Sequence, residues 1–336
     1  MNNDRHLRFG IAIPQMFPNG TVDTDLIRNF LIQAETLGFD SAWAQDQIID
    51  RNAPLHLNQA GSDPRGTLDL RDLSVSPMPL VDPLTLIGFV SSFTSKIKLG
   101  TSVIVSTLRS PVHLAKIGAS LDQLTDGRLI LGVGLGGISN VYPVFGLNSK
   151  GRRTRFEEGI NLLKRLWIER QVSYKSPFFH LNKVTVEPKP HQKPHPPIFI
   201  GAREKPALRR AVKLGDGWLG GGSSSTKRFK WELDQVNKYL EQENKCPKTF
   251  HISKRVYIAV DRNKKRASEN LQKWFYQYYR NATLALETAI FGNEQECIEK
   301  ISELPLDKLD MILLNPVYDL IEQPQLLAEN ILPNLG

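Results

Sequence analysis

The sequence predicts an α/β chain in which eight parallel strands close into a barrel, with insertion segments between some of them. Three observations carry that prediction. Short apolar segments alternate with amphipathic helical segments nearly end to end. The segments that read as strands number eight, which is the number that closes a parallel barrel. Glycine-rich turns follow the fourth, fifth and sixth of them. An open, doubly wound sheet is the alternative topology.

Each element has a local reason. Phe9–Ile13 is an apolar run stopped by Pro14, and Asp23 or Thr24 caps a helix with Leu26, Phe30, Ala34 and Leu37 on one face. Gly38 ends that helix, and Phe39–Trp43 is the second strand. Asp82-Pro83 opens a helix to Phe93, and Ile97–Val105 is a continuous buried strand. Pro111 starts a helix to Leu124, Asp126-Gly127 turns the chain, and Leu129–Val133 is the fourth strand. Arg152–Ile168 is amphipathic through Phe156, Ile160, Leu163 and Trp167. Strands at Ile198–Ile200, Gly217–Leu219, Ile252–Val260 and Met311–Leu314 follow. Helices are expected at Pro206–Leu214, Phe229–Glu243, Lys264–Tyr279 and Pro324–Ile331.

Two insertions interrupt the alternation. Gln47–Val81 is long for a βα loop, and loops of that length commonly act as lids. Arg170–Pro197 holds short β-like pieces at Val172–Tyr174, Phe178–Leu181 and Val184–Val186, then a proline-rich strap from Glu187 to Pro197. Neither divides the chain, so residues 1–336 read as one domain.

Composition narrows the function. Of 336 residues, 40% are hydrophobic and 23% charged, which excludes extended disorder and fibrous repeats. Two cysteines do not make a disulfide framework. Residues Met1–Phe17 carry no secretory pattern, and no stretch approaches the ~18 apolar residues of a membrane span. The expectation is a cytoplasmic protein with no membrane partner. Forty-three basic residues against 35 acidic ones give a net charge of +8, which favours anionic ligands. No nucleic-acid motif stands out, and Trp274–Tyr279 reads as a helix packed on the core. No zinc motif, nucleophile elbow or P-loop is present, so no metal is expected.

Three turns carry candidate chemistry. Gly132–Gly137 contains G-x-G-x-x-G, but the acids at the right distance, Glu157 and Glu158, lie inside a helix. A dinucleotide fold is therefore not the reading. Gly201-Ala202-Arg203 and Gly220–Thr226 each follow a strand and precede a helix. Together they offer backbone amides, hydroxyls and a guanidinium to one phosphate. Asp46 and Gln47, at the end of the second strand beside Trp43, are candidates for catalytic or orienting roles.

In this order and spacing the chain resembles the luciferase-like flavin and deazaflavin oxidoreductases with a TIM-barrel fold. The resemblance is carried by Leu37-Gly38-Phe39-Asp40-Ser41-Ala42-Trp43, Ile97-Lys98-Leu99-Gly100-Thr101-Ser102-Val103 and Ser110–Lys116. Leu121–Leu129, Gly132–Gly137, Phe145-Gly146 and Ala211–Trp218 continue it. The resemblance implies a flavin or deazaflavin at the C-terminal mouth of the barrel. It implies a non-proline cis peptide at Ser102–Val103 beneath the ring, with Thr101 alongside. It implies Gly134, Leu135 and Gly136 at the ring edge or ribityl chain. The phosphate would rest on Gly201, Ala202 and Arg203, with Gly221, Gly222 and Ser223 nearby. Trp43 would wall the pocket and Gln47 would contact the ring.

One departure bears on mechanism. Many relatives have histidine after the acid, where this chain has Asp46-Gln47. Glutamine donates hydrogen bonds but offers no titrating proton. Asp46, or a residue of the Gln47–Val81 insertion, would have to move the proton. The first expectation is a two-component monooxygenase using reduced FMN, O₂ and a separate NAD(P)H-linked flavin reductase on a small organic substrate. The alternatives are hydride transfer with deazaflavin F420 and non-catalytic flavin binding. The resemblance also implies a homodimer.

Overall fold

The computed structural model describes residues 6–17, 20–49, 80–137 and 139–335. The Gln47–Val81 insertion falls outside the described residues from 50 to 79, so its expected lid role does too. Strands β1 (Arg8–Ala12), β2 (Ser41–Ala44), β3 (Lys98–Thr101), β4 (Ile104–Val105) and β5 (Leu129–Gly134) form one part of the sheet. Strands β8 (Ile198–Gly201), β9 (Gly217–Gly220), β10 (His251–Val260) and β12 (Met311–Pro316) form the rest, after the hairpin β6 (Val172–Lys175) and β7 (His180–Val184). Every barrel pairing is parallel, in the order β1-β2-β3-β5-β8-β9-β10-β12. Pairing of β12 back to β1 closes the ring. The expected barrel is therefore the observed one, and the open sheet is excluded.

Helices α1 (Thr24–Thr36), α2 (Pro83–Ser91), α3 (Pro111–Leu124), α4 (Arg152–Ile168), α5 (Lys205–Leu214), α6 (Thr226–Gln242) and α7 (Lys264–Tyr279) cover the outside. Their starts obey local capping chemistry. Asp23 accepts from Leu26 N, Asp82 from Leu84 N and Thr85 N, Ser225 from Arg228 N and Asn263 from Arg266 N. Pro83 and Pro111 occupy the first helical positions, where a missing N–H costs nothing. Outward strand residues such as Ile11, Leu131, Ile198 and Ile312 pack against those helices. Trp43, Ile130, Phe199, Leu219, Met311 and Leu313 fill the barrel interior. Trp43 is fully buried there, stacked 6.1 Å from Phe199, and its indole N–H donates to Ser41 Oγ at 2.9 Å. A Cβ at Gly100 would sit 2.4 Å from the indole, so the glycine on β3 makes the room that Trp43 takes.

Three sequence expectations need correction, while the cis peptide bond that the resemblance implies at Ser102–Val103 is present. The expected continuous strand Ile97–Val105 is broken into β3 and β4, with a cis peptide bond between Ser102 and Val103. The expected pieces between Arg170 and Pro197 are a single antiparallel hairpin, because Val184 pairs back onto Val172. The proline strap includes two further cis bonds, Glu187-Pro188 and Lys193-Pro194. Finally, α8 (Leu284–Thr288), β11 (Ile290–Gly292) and α9 (Glu294–Ser302) add elements not anticipated, and β11 pairs with the end of β10. The aromatic helix α7 packs, as expected, but into its own cluster with Tyr257 beside the barrel mouth. No helix among the described residues is long and apolar enough to cross a membrane.

Candidate active site

The parallel strands all point their C-terminal ends at one rim, so residues remote in sequence meet there. Inward and outward side chains alternate along each strand. Above the apolar layer of Trp43, Leu219 and Leu313, the next inward positions are Gln45, Arg255 and Asn315. They form one polar floor. Arg255 Nε donates to Asn315 Oδ1 at 3.0 Å, Nη1 to the Ser102 carbonyl at 3.1 Å and Nη2 to Gln45 Oε1 at 3.0 Å. Nη2 also donates to Asn315 Oδ1. Gln15 locks the Gln45 backbone from both sides, donating to its carbonyl at 2.7 Å and accepting from its N–H at 2.8 Å. Arg255 is 8% exposed, and its hydrogen-bond acceptors are all neutral. No carboxylate pairs with it among the described residues. A buried guanidinium of this kind projects an unbalanced positive charge into the mouth.

Val103 stands over this floor. Its side chain occupies the space that a Cβ on Gly134 or Gly201 would need, at 2.7 Å and 3.1 Å from its methyl groups. The cis bond, Gly134 and Gly201 thus meet at one point, although 98 residues of sequence separate Val103 from Gly201 (201 − 103). Thr101 lies just below, fully buried, with its hydroxyl bound to the Gly132 carbonyl at 2.7 Å and to its N–H at 2.9 Å. Leu135 O accepts from Thr107 Oγ1 at 2.9 Å and from Tyr142 OH at 3.2 Å, which holds the turn after β5.

Asp46 is an anchor. Its carboxylate accepts from Arg109 Nη1 at 2.5 Å, from Arg109 Nη2 at 3.0 Å and from Val105 N at 2.8 Å. Arg109 reaches on to Asp82 at 3.4 Å. Both oxygens are therefore committed to holding the segment after the cis bond against the end of β2. The expectation that Asp46 moves a proton has no support in this geometry. Replacing Asp46 with asparagine keeps the shape and removes the nearer charge on Arg109, whose side chain is only 16% exposed, leaving it the half-exposed Asp82 at 3.4 Å. A destabilisation of about 3 kcal/mol is expected in urea unfolding, as for a broken buried pair.

Gln47 is the opposite case. Together with Asp46, Ile48, Val105, Leu108 and Gly136 it lines a pocket open to solvent. Both its Oε1 and Nε2 are buried without a hydrogen-bond partner among the described residues. An amide left unpaired at both ends is costly, so the position suits a ligand that donates and accepts.

The turns after β8 and β9 meet as anticipated. Arg203 Nη1 donates to Ser223 Oγ at 2.9 Å, and the Arg203 stem lies against Gly221. Arg228 Nη2 donates to the Arg203 carbonyl at 3.0 Å, and its Nε to Glu232 Oε1 at 3.0 Å. Arg203, Arg228 and Lys254 face one fully buried carboxylate, Glu232, whose Oε2 makes no hydrogen bond; Arg203 Nε makes none either but lies 3.8 Å from Glu232 Oε1. Burial pushes the Glu232 carboxyl upward, although Arg228, Ser224 and Arg203 pull it down. Local charge stays in cationic excess, which is the electrostatics of an anion site. The sequence reading missed Arg255, Lys254, Gln45, Asn315 and Glu232. One signal was present: two basic residues, Lys254-Arg255, inside the apolar strand Ile252–Val260.

The family profile described as luciferase-like monooxygenase matches residues 7–304. The chain belongs to that family. Among luciferase-like relatives, an F420-dependent glucose-6-phosphate dehydrogenase of Amycolatopsis mediterranei is 25% identical over 291 residues, covering 85% of this chain and 78% of the relative. Another of the same name from Kineococcus radiotolerans is 27% identical over 258 residues, covering 74% and 68%. Two solved structures share the luciferase-like barrel. An F420-dependent secondary alcohol dehydrogenase in complex with an F420-acetone adduct aligns with a TM-score of 0.78 at 19% identity, covering 98% of this chain and 99% of the other. The monooxygenase RslO1 from Streptomyces bottropensis aligns with a TM-score of 0.77 at 20% identity, covering 98% and 100%. At these identities the two structures speak to the fold alone.

Proposed function

We propose that this luciferase-like protein is an F420-dependent oxidoreductase that moves a hydride between the deazaflavin and a small hydroxyl- or carbonyl-bearing substrate. The observation that carries the reading is the pair of turns after β8 and β9. There Arg203 and Arg228 face one buried carboxylate, Glu232, with Lys254 beneath the turn, and Arg203 Nε is buried without a hydrogen bond, 3.8 Å from Glu232 Oε1. That arrangement fits the phosphate of a ribityl cofactor. The rest of the mouth fits its ring. Val103 offers an apolar support between Gly134 and Gly201, the unpaired Gln47 amide faces the adjoining pocket, and the Arg255 charge lies beneath.

A bound deazaflavin would supply the carbon that accepts or donates the hydride. This chain's own residues do the remainder. Arg203, Ser223 and the Gly222 amide would hold the phosphate, Val103 and Leu135 would exclude water from one ring face, and Gln47 would orient ring or substrate. Arg255 would favour negative charge as it develops on an oxygen near the floor. The choice of F420 over the initially expected FMN rests on the dehydrogenases named among the curated relatives. The FMN and O₂ reading has less support.

The test is titration of the purified protein with F420 and with FMN, followed by fluorescence, and a spectrum and mass of any small molecule that co-purifies. F420 is expected to bind at least tenfold more tightly and to lose its visible absorbance when alcohols are supplied without O₂. Preferential FMN binding with O₂ consumption would overturn the proposal.

A further inference from the structure

Lys254 precedes Arg255 on β10 and so faces the other side of the barrel wall. It is 3% exposed and lies beneath the turn joining β9 to α6. Its Nζ donates to the Gly221 carbonyl at 2.6 Å and to the Ser224 carbonyl at 2.8 Å, and it lies 5.5 Å from the centre of the Phe229 ring. The ammonium therefore draws both ends of the turn inward. In a trans peptide the N–H of the next residue points opposite to the carbonyl. Pulling those two carbonyls inward turns the N–H groups of Gly222 and Ser225 outward, toward the side where Arg203 meets Ser223. Among the described residues neither N–H has a hydrogen-bond partner.

We propose that Lys254 is a positioning residue of the phosphate cradle, holding the Gly221–Ser225 segment with the Gly222 and Ser225 amides outward and taking up a proton when an anionic phosphate binds. This rests on reading the turn as the cofactor-phosphate site.

The charges around Lys254 support the proton uptake. From α6, Glu232 faces it and is itself bonded by Arg228; from the turn after β8, Arg203 faces it; Glu204 pairs with Arg228 and is exposed. Burial pushes the Lys254 ammonium down to about 7, with Glu232 opposing and Arg203 reinforcing the shift. Near neutral pH part of the free protein thus carries a neutral amine. A bound phosphate restores preference for the ammonium, and the proton comes from solvent onto Nζ with no other bond changed. The sign follows. Affinity is greatest below about pH 7, where the ammonium is already charged. Above that, affinity falls by up to about tenfold per pH unit, until the value in the complex is reached.

The test compares F420 with the same deazaflavin ribitol lacking its phosphate, by fluorescence titration from pH 6 to 9. The ratio of their affinities cancels titration of the ring. In the wild-type protein the ratio is expected to hold to about pH 7 and then fall about tenfold or more by pH 9. Lys254→Met should show a low ratio with no pH dependence. Lys254→Arg, which stays charged, should keep a high ratio across the range. A wild-type ratio that is flat with pH, or a Lys254→Met protein with the wild-type slope, would overturn the proposal. The wild-type profile alone decides if a variant does not fold. FMN and riboflavin are titrated in parallel. If only that pair binds and the slope persists, the deazaflavin reading fails and the role of Lys254 stands.

Discussion

Arg255→Met is expected to cut turnover in the proposed hydride transfer by about 100-fold or more and to lower stability by about 3 kcal/mol. The two effects have separate origins. Loss of the guanidinium removes the positive charge that no carboxylate balances among the described residues of the floor, which is worth roughly as much as an oxyanion donor in a water-poor site. It also leaves the Ser102 carbonyl, Gln45 Oε1 and Asn315 Oδ1 without their donor. Each unpaired buried acceptor costs about 1–3 kcal/mol. Against this, the variant no longer buries a charge, which returns several kcal/mol of desolvation. The net loss stays within the ~5–15 kcal/mol that an ordinary domain has, so the variant should fold. Urea unfolding and cofactor titration measure the two parts independently. Arg255→Lys should recover stability only in part, because a single ammonium does not span three acceptors in a fork. A methionine variant with wild-type turnover and unchanged urea midpoint would remove Arg255 from the site.

Gly132→Ala is expected to be the most damaging small substitution in the barrel. A Cβ there would sit 1.7 Å from the Thr101 carbonyl oxygen and 2.9 Å from Leu219 Cδ1. The first obstacle is backbone, so no rotamer change relieves it. Strands β3 and β5 would have to part where the Thr101 hydroxyl ties them together, directly below the Ser102–Val103 bond. A loss of about 4 kcal/mol or more is expected, seen as a fall in Tm of about 6 °C or more, or as failure to accumulate folded protein. Gly88→Ala is the control. That glycine lies within α2, and its added methyl would meet only Leu121 Cδ2 at an ordinary 3.6 Å. There alanine should raise stability by up to about 1 kcal/mol through helix propensity. Equal stability for the two variants would show that close approach at Gly132 does not matter.

Local chemistry explains what was legible. Asp23, Asp82 and Pro111 mark helix starts because capping involves only neighbours in sequence, and all three lie where the residues indicated. Arg152–Ile168 was readable to the residue, since a repeated apolar face needs no partner to be seen. The meeting of the turns after β8 and β9 was readable once the strands were taken as parallel, because a barrel puts their ends at one rim. The break at Ser102–Val103 was different. Composition there is that of an unbroken strand, and only the resemblance to a known family pointed to the cis bond.

The roles at the mouth were decided by three-dimensional neighbours. Asp46 and Gln47 look alike as polar residues after a strand, yet one is clamped by Arg109 and the other is left unpaired. Arg109 is 63 residues away from Asp46, so nothing near Asp46 in sequence announces the clamp. Lys254 and Arg255 are adjacent in sequence and serve opposite sides of the wall, because the pleat turns them apart.

Residue order alone determined the alternation of strands and helices, the helix starts and the parallel sense of the sheet, since each depends on short-range pattern; the β12–β1 pairing decided that the sheet closes. Tertiary structure decided which polar side chains keep a free hydrogen bond and which charge stays unbalanced. Those properties belong to distances between strands that are remote along the chain, and they exist only after the barrel has closed.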